Sequence, residues 1–191
     1  ITHDPTRAMS LSPHFAATSF LSVLTFNRAM SVLSSDPTSS ASRVESSERI
    51  ILISGDVEQE MDEYKAKYPD RYLNVGLCEQ SMISMAAGMA LEGLRPVVYS
   101  ITPFLIERPF EQIKIDIDEN NLPVMLVGQA DYPTHGPTHR PLNPEILVSM
   151  LKNTMGYFPR NLMEAEKAML DAYLMRTPSI ISLKKDGLPF L

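Results

Sequence analysis

Glu79 stands where a strand-like run, Arg71-Tyr72-Leu73-Asn74-Val75-Gly76, gives way to a helical stretch of small and methionine residues that ends near Gly93. An acid on so apolar and tightly packed an element needs a partner, because burying an unpaired carboxylate is expensive. The ordinary alternative is a helix-opening glutamate favoured by the helix dipole. His139 closes the run Gly136-Pro137-Thr138-His139, with His135 just before it. An imidazole titrates near neutrality and suits proton transfer, although a loop histidine can equally satisfy backbone groups. Arg108 lies between Glu107 and Glu111 and can pair with either. Phe104 and Phe110 offer aromatic faces; Phe110 also shares a helical face with Ile113 and Ile117 and reads equally well as core. Asp56, in Ser54-Gly55-Asp56-Val57, invites a metal-ligand reading.

These residues need a frame that brings them together. Residues 49–55 form a short, continuous apolar run ending in glycine, as a buried parallel strand does. Further strand candidates are 73–75, 97–101, 124–128, 157–158 and 179–183, with helical patterns over 79–92, 107–119, 143–153 and 162–176. Strands alternating with helices predict an α/β fold, a parallel β-sheet with helices on both faces. In such sheets ligands sit at the carboxyl ends of the strands. Asp56, Glu79, Phe104 and the His135/His139 pair each follow a strand candidate, so one sheet edge can gather them all. Residues 1–12 are polar and read as a flexible tail, 13–33 as a helix and 34–48 as a Ser-rich surface loop, with 13–191 forming one domain. A transit peptide is the other reading of the Ser-rich start.

Composition narrows the function. A chain of 191 residues can build a real core, burying about 70% of its unfolded surface. The net charge is −6 and no Lys/Arg cluster is present, which argues against nucleic acid as a partner. No apolar run approaches membrane-spanning length, so no membrane partner is expected. The single cysteine, Cys78, fits a reducing compartment, and a cytoplasmic location is expected. There is no internal repeat and no Gly-x-Gly-x-x-Gly.

Three anchors carry a resemblance. They are Asn74-Val75-Gly76 with Glu79-Gln80, the Phe104/Arg108/Phe110-x-Gln112 block, and Gly136-Pro137-Thr138-His139. In this order and at these distances, residues 48–186 resemble the pyrimidine-binding domain of transketolase-type thiamin diphosphate enzymes, with transketolases and deoxyxylulose phosphate synthases nearest. The resemblance implies that Glu79 hydrogen-bonds N1′ of the cofactor's aminopyrimidine, favouring the imino form whose nitrogen acts as base. It implies that Phe104 and Phe110 bind the cofactor, by offset stacking against the ring. It implies that His139 faces the reacting centre as a catalytic and substrate-binding group, and that His135 and Arg108 bind substrate. Two features depart from the family pattern. The gap between the first Phe and the Arg is longer than in relatives, which leaves Leu105 as a rival to Phe104. His135 stands where transketolases carry an acid, which favours an anionic substrate group over the usual ketose.

The family binds Mg²⁺ through Gly-Asp-Gly followed some thirty residues later by Asn-Asn. Here the third glycine is missing after Asp56, and Asn120-Asn121 is too distant, so no metal site is expected on this chain. The thiamin diphosphate and Mg²⁺ are then held jointly with a partner, a diphosphate-binding subunit carrying Gly-Asp-Gly…Asn, in an α2β2 assembly. The expected activity is two-carbon transfer or carboligation on ketose phosphates or 2-keto acids, by a split thiamin diphosphate-dependent transferase. The alternative is a non-catalytic regulatory or scaffold subunit that retains the fold.

Overall fold

A computed structural model describes residues 30, 49–57, 61–129 and 136–183 of the protein. Six strands, β1 (Ile50–Ser54), β2 (Tyr72–Asn74), β3 (Arg95–Ile101), β4 (Met125–Gln129), β5 (Met155–Tyr157) and β6 (Ser179–Leu183), form one sheet in the order β2-β1-β3-β4-β6-β5. Every pairing is parallel. The α/β expectation therefore holds, and all six strand candidates are strands. The four inner strands are mostly apolar and buried, without a polar alternation, because helices cover both faces. Alternation along each strand divides the core in two. Leu52, Val97, Tyr99, Met125, Val127 and Ile181 turn to one side; Ile53, Val98, Leu126 and Ile180 turn to the other.

The first face is covered by α1 (Asp62–Lys67), which buries Tyr64, and α5 (Leu162–Met175), which buries Ala165, Ala168, Met169 and Ala172. Met30, helical and fully buried, packs there too. The second face is covered by α2 (Glu79–Leu91), by the segment 103–118 and by Val148 of α4 (Pro144–Ser149). The remainder of the expected 13–33 helix and the 34–48 loop lie outside the described residues.

The 107–119 helix departs from expectation. It begins earlier, as a wide turn over Pro103–Glu107 closed by Arg108 N–H donating to Pro103 O at 3.3 Å. A single α-helical turn follows, α3 (Phe110–Gln112), and then a second wide stretch over Ile113–Asp118. Pro109 supplies no N–H to a regular ladder, and a five-residue turn takes up one more residue than an α-turn. The longer gap between Phe104 and Arg108 is thus absorbed locally, and it leaves Leu105 and Ile106 fully buried beneath the turn.

The 143–153 helix is also shorter than its pattern. Asn143 caps it, accepting from the amides of Glu145 at 2.9 Å and Ile146 at 3.3 Å. It ends at Ser149 because Asp118 draws the following chain away. The Asp118 carboxylate accepts from the amides of Lys152 (2.9 Å), Asn153 (2.8 Å) and Thr154 (2.8 Å), and from the Thr154 hydroxyl (2.7 Å). Burial pushes the Asp118 carboxyl up, but the Thr154 hydroxyl and the three amides outweigh it and hold the pKa below the usual carboxylate value.

Candidate functional site

The chain leaves β1 for β2 on one side and returns to β3 on the other. The connections diverge at the β1/β3 boundary, the topological switch point where open parallel sheets take their ligands, at the carboxyl ends of the strands. Asp56 follows β1, Glu79 follows β2 and Phe104 follows β3, so the segments anticipated at one edge do lie at that edge.

The turn into α2 is built by Asn74. Its side-chain oxygen accepts from the Gly76 amide at 2.9 Å and the Asp56 amide at 3.3 Å, tying the ends of β1 and β2 together. Gly76 has φ +70 and Asp56 φ +61, a left-handed backbone that glycine adopts without strain and that aspartate tolerates better than most residues. Asn74 and Gly76 are positioning residues that the motif contained but that were given no role; an Asn-x-Gly turn was the available signal. Cys78 occupies the cap position of α2 without a side-chain capping bond. Its thiol donates instead to Val75 O at 2.8 Å.

Glu79, the first residue of α2, is 6% exposed. Its Oε1 accepts from Arg108 Nη1 at 2.6 Å. This corrects the pairing considered for Arg108: its partner is neither Glu107 nor Glu111 but the carboxylate 29 residues before it. Phe104 and Arg108, four apart along the wide turn, face the same way. The guanidinium carbon lies 3.8 Å from the centroid of the Phe104 ring. The Phe104 ring also meets the His139 imidazole edge-on, with centroids 4.9 Å apart. Glu79, Arg108, Phe104 and His139 thus form one contiguous group of acid, cation, aromatic ring and imidazole.

Supporting contacts hold the histidine end. The turn Pro137–His139 is closed by His139 N–H donating to Gly136 O at 3.2 Å, and Thr138 Oγ1 lies 3.1 Å from His139 Nδ1. Glu107 accepts from the Leu142 amide at 2.6 Å, fastening the chain just beyond His139 to the wide turn. Glu107 is a third positioning residue, one that sequence reasoning considered only as a partner for Arg108.

Two site candidates remain. Phe110 is half-buried against the core beneath α2, and His135 lies outside the described residues. Between Phe104 and Leu105, the aromatic residue is the one at the site; Leu105 is fully buried in the core. Chemically, the group offers a nearly dry carboxylate acceptor beside an aromatic face, with an imidazole at the rim. That donor and acceptor set fits a flat nitrogen heterocycle that presents a ring N–H at its edge.

Comparison with known proteins points the same way. Residues 39–189 match the family model described as the pyrimidine-binding domain of transketolase. The 1-deoxy-D-xylulose-5-phosphate synthase of Methylobacillus flagellatus is 35% identical over 136 residues, covering 68% of this chain and 21% of that protein. One of the subunits of the apulose-4-phosphate transketolase of Actinobacillus succinogenes is 45% identical over 71 residues, covering 37% of this chain and 23% of that protein. The matches therefore span about a fifth of the length of these curated relatives. Among solved structures, a split-gene transketolase in an inactive beta4 tetramer superposes with a TM-score of 0.72 at 21% identity, covering 87% of this chain and 51% of the other. Among the described residues, no helix is long and apolar enough to cross a membrane.

Proposed function

The chain belongs to the transketolase pyrimidine-binding domain family, and on that premise we propose that it holds and activates the aminopyrimidine of thiamin diphosphate in a transketolase-like transferase. One observation carries this reading: a buried carboxylate, Glu79, opens a helix beside the Phe104 ring at the carboxyl edge of a parallel sheet. When bound, the cofactor supplies the thiazolium that adds to a substrate carbonyl and serves as electron sink.

Each residue has a distinct task. Glu79 accepts a hydrogen bond at N1′ of the pyrimidine and shares that proton, which shifts the basicity of the 4′-amino group on the far side of the ring. A charge-assisted bond of this kind is worth about 1.5–3 kcal/mol, and the burial of Glu79 preserves it. Phe104 packs against the ring, with Phe110 as the second aromatic of the cofactor site. His139 stands at the rim, where it orients substrate or moves a proton to and from a substrate oxygen. His135 and Arg108 supply positive charge for an anionic substrate group, consistent with a ketose phosphate or a 2-keto acid.

The diphosphate and its Mg²⁺ require acidic and amide ligands of the Gly-Asp-Gly…Asn type, which we assign to a partner subunit in an α2β2 assembly. The name of the Actinobacillus relative, given as one subunit of a transketolase, and the split-gene origin of the structural relative support such a division. A cytoplasmic setting fits the lone, reduced Cys78.

The second reading is a non-catalytic scaffold, and the occupation of Glu79 and Phe104 by Arg108 favours it. Glu79→Gln in the complex with the diphosphate-binding subunit decides between them. Ketol or acyl transfer falls at least about a hundredfold if Glu79 shares the proton at N1′, a loss of about 2.7 kcal/mol in barrier. Unchanged turnover leaves the scaffold reading standing.

A further inference from the structure

Glu79 and Phe104 are both engaged by a single side chain. Arg108 donates to Glu79 Oε1 at 2.6 Å while its guanidinium lies 3.8 Å from the centre of the Phe104 ring. Phe104 is only 9% exposed and meets His139 edge-on. The face under Arg108 is therefore the one through which a flat molecule would reach it. A guanidinium is planar, carries N–H donors at its edge and stacks on aromatic rings. Those are the two contacts an aminopyrimidine would use at this place, a π-face on Phe104 and an N–H directed at Glu79.

Resting on the cofactor reading above, we infer that Arg108 is a built-in occupant of the pyrimidine pocket, a displaceable plug that keeps Glu79 and Phe104 in place and swings out to admit the ring. The surroundings suit that motion. The Arg108 side chain is 42% exposed against 7% for Glu79, so the arginine has solvent to move into while the glutamate does not. Its backbone N–H is held by Pro103 O at 3.3 Å, so the plug moves by rotation of the side chain and not of the turn. The ring then replaces one stack and one charge-assisted hydrogen bond with another of each. The apparent affinity of the cofactor's ring is lowered by the fraction of time the plug is shut.

The test uses this full chain and a probe that needs no partner, 4-amino-5-(hydroxymethyl)-2-methylpyrimidine, titrated by NMR. Arg108→Met opens the pocket and is expected to bind the probe about tenfold more tightly than wild type. Arg108→Lys keeps the charge but not the planar stack, is expected to fall between, and decides the matter if the Met variant does not fold. Glu79→Gln is expected to weaken binding. In wild type, the side-chain Nε–H signal that Arg108→Lys removes shifts on saturation with the probe. If neither Arg108 variant binds more tightly while Glu79→Gln still weakens binding, the plug is refuted and the pyrimidine site survives. If no variant binds, or Glu79→Gln binds like wild type, the site itself is refuted and the plug with it.

Discussion

Replacing Asp118 by alanine takes one ionised acceptor away from four donors at once: the amides of Lys152, Asn153 and Thr154 and the Thr154 hydroxyl. Asp118 is 1% exposed, so water does not simply take its place. Hydrogen bonds to charged groups are worth about 1.5–3 kcal/mol each, and the freed loop recovers part of this by opening to solvent. A net loss of about 3–5 kcal/mol follows, which lowers Tm by roughly 6–20 °C for a domain of this size. Urea unfolding followed by far-UV circular dichroism measures it. The same residue sets a pH signature. Its folded pKa is depressed, so its contribution is fully present above the unfolded carboxylate value of about 3.9. That contribution is lost as pH falls from there through the folded pKa. The stability gap between wild type and Asp118→Ala should accordingly be widest near neutrality and shrink below about pH 4. A gap under about 1 kcal/mol at pH 7, or one that stays constant into acid, refutes the reasoning.

Gly128→Ala puts a Cβ 2.6 Å from Thr102 Oγ1 and 3.1 Å from Thr102 Cα, and overpacking of this kind costs about 1–3 kcal/mol. Because the nearest atom is the hydroxyl, the Gly128→Ala, Thr102→Ala double variant should be less destabilised than the sum of its single variants; strict additivity in urea denaturation counts against the contact. Gly76→Ala meets no atom within 4 Å but forces a side chain onto φ +70, so it should cost about 1–2 kcal/mol from backbone strain alone, and unchanged stability would place the turn's origin elsewhere.

The strands were legible because their β-branched and aliphatic runs are local, and burial on both faces removes the polar alternation, as in Ile50–Ser54 and Ser179–Leu183. The position of Glu79 at the first turn of its helix was legible for the same reason, since the change from extended to helical pattern falls within a few residues. What escaped was set by partners far along the chain. Nothing around Ser149 announces that the helix stops there, because the cause is a carboxylate more than thirty residues earlier. Arg108 has acids at its side in sequence, yet its partner is Glu79, across the packing of the wide turn against α2. The helix Asp62–Lys67 was missed because only six residues form it and they bury a single side chain, Tyr64, which is too little periodicity to register. The wide turns were hidden because an i→i+5 hydrogen-bond pattern changes side-chain spacing little from an α-helical one over so short a span.

The Pro103–Glu107 loop of backbone holds one residue more than a regular helix would need, and it does so in the segment that carries Phe104 and leads into Arg108. Slack of this sort gives heredity a point of adjustment. Losing or gaining a single codon here would rotate Arg108 and Phe110 relative to Phe104, leaving the strand before and the strand after untouched. The floor of the candidate site and the scaffold that carries it can therefore diverge at different rates.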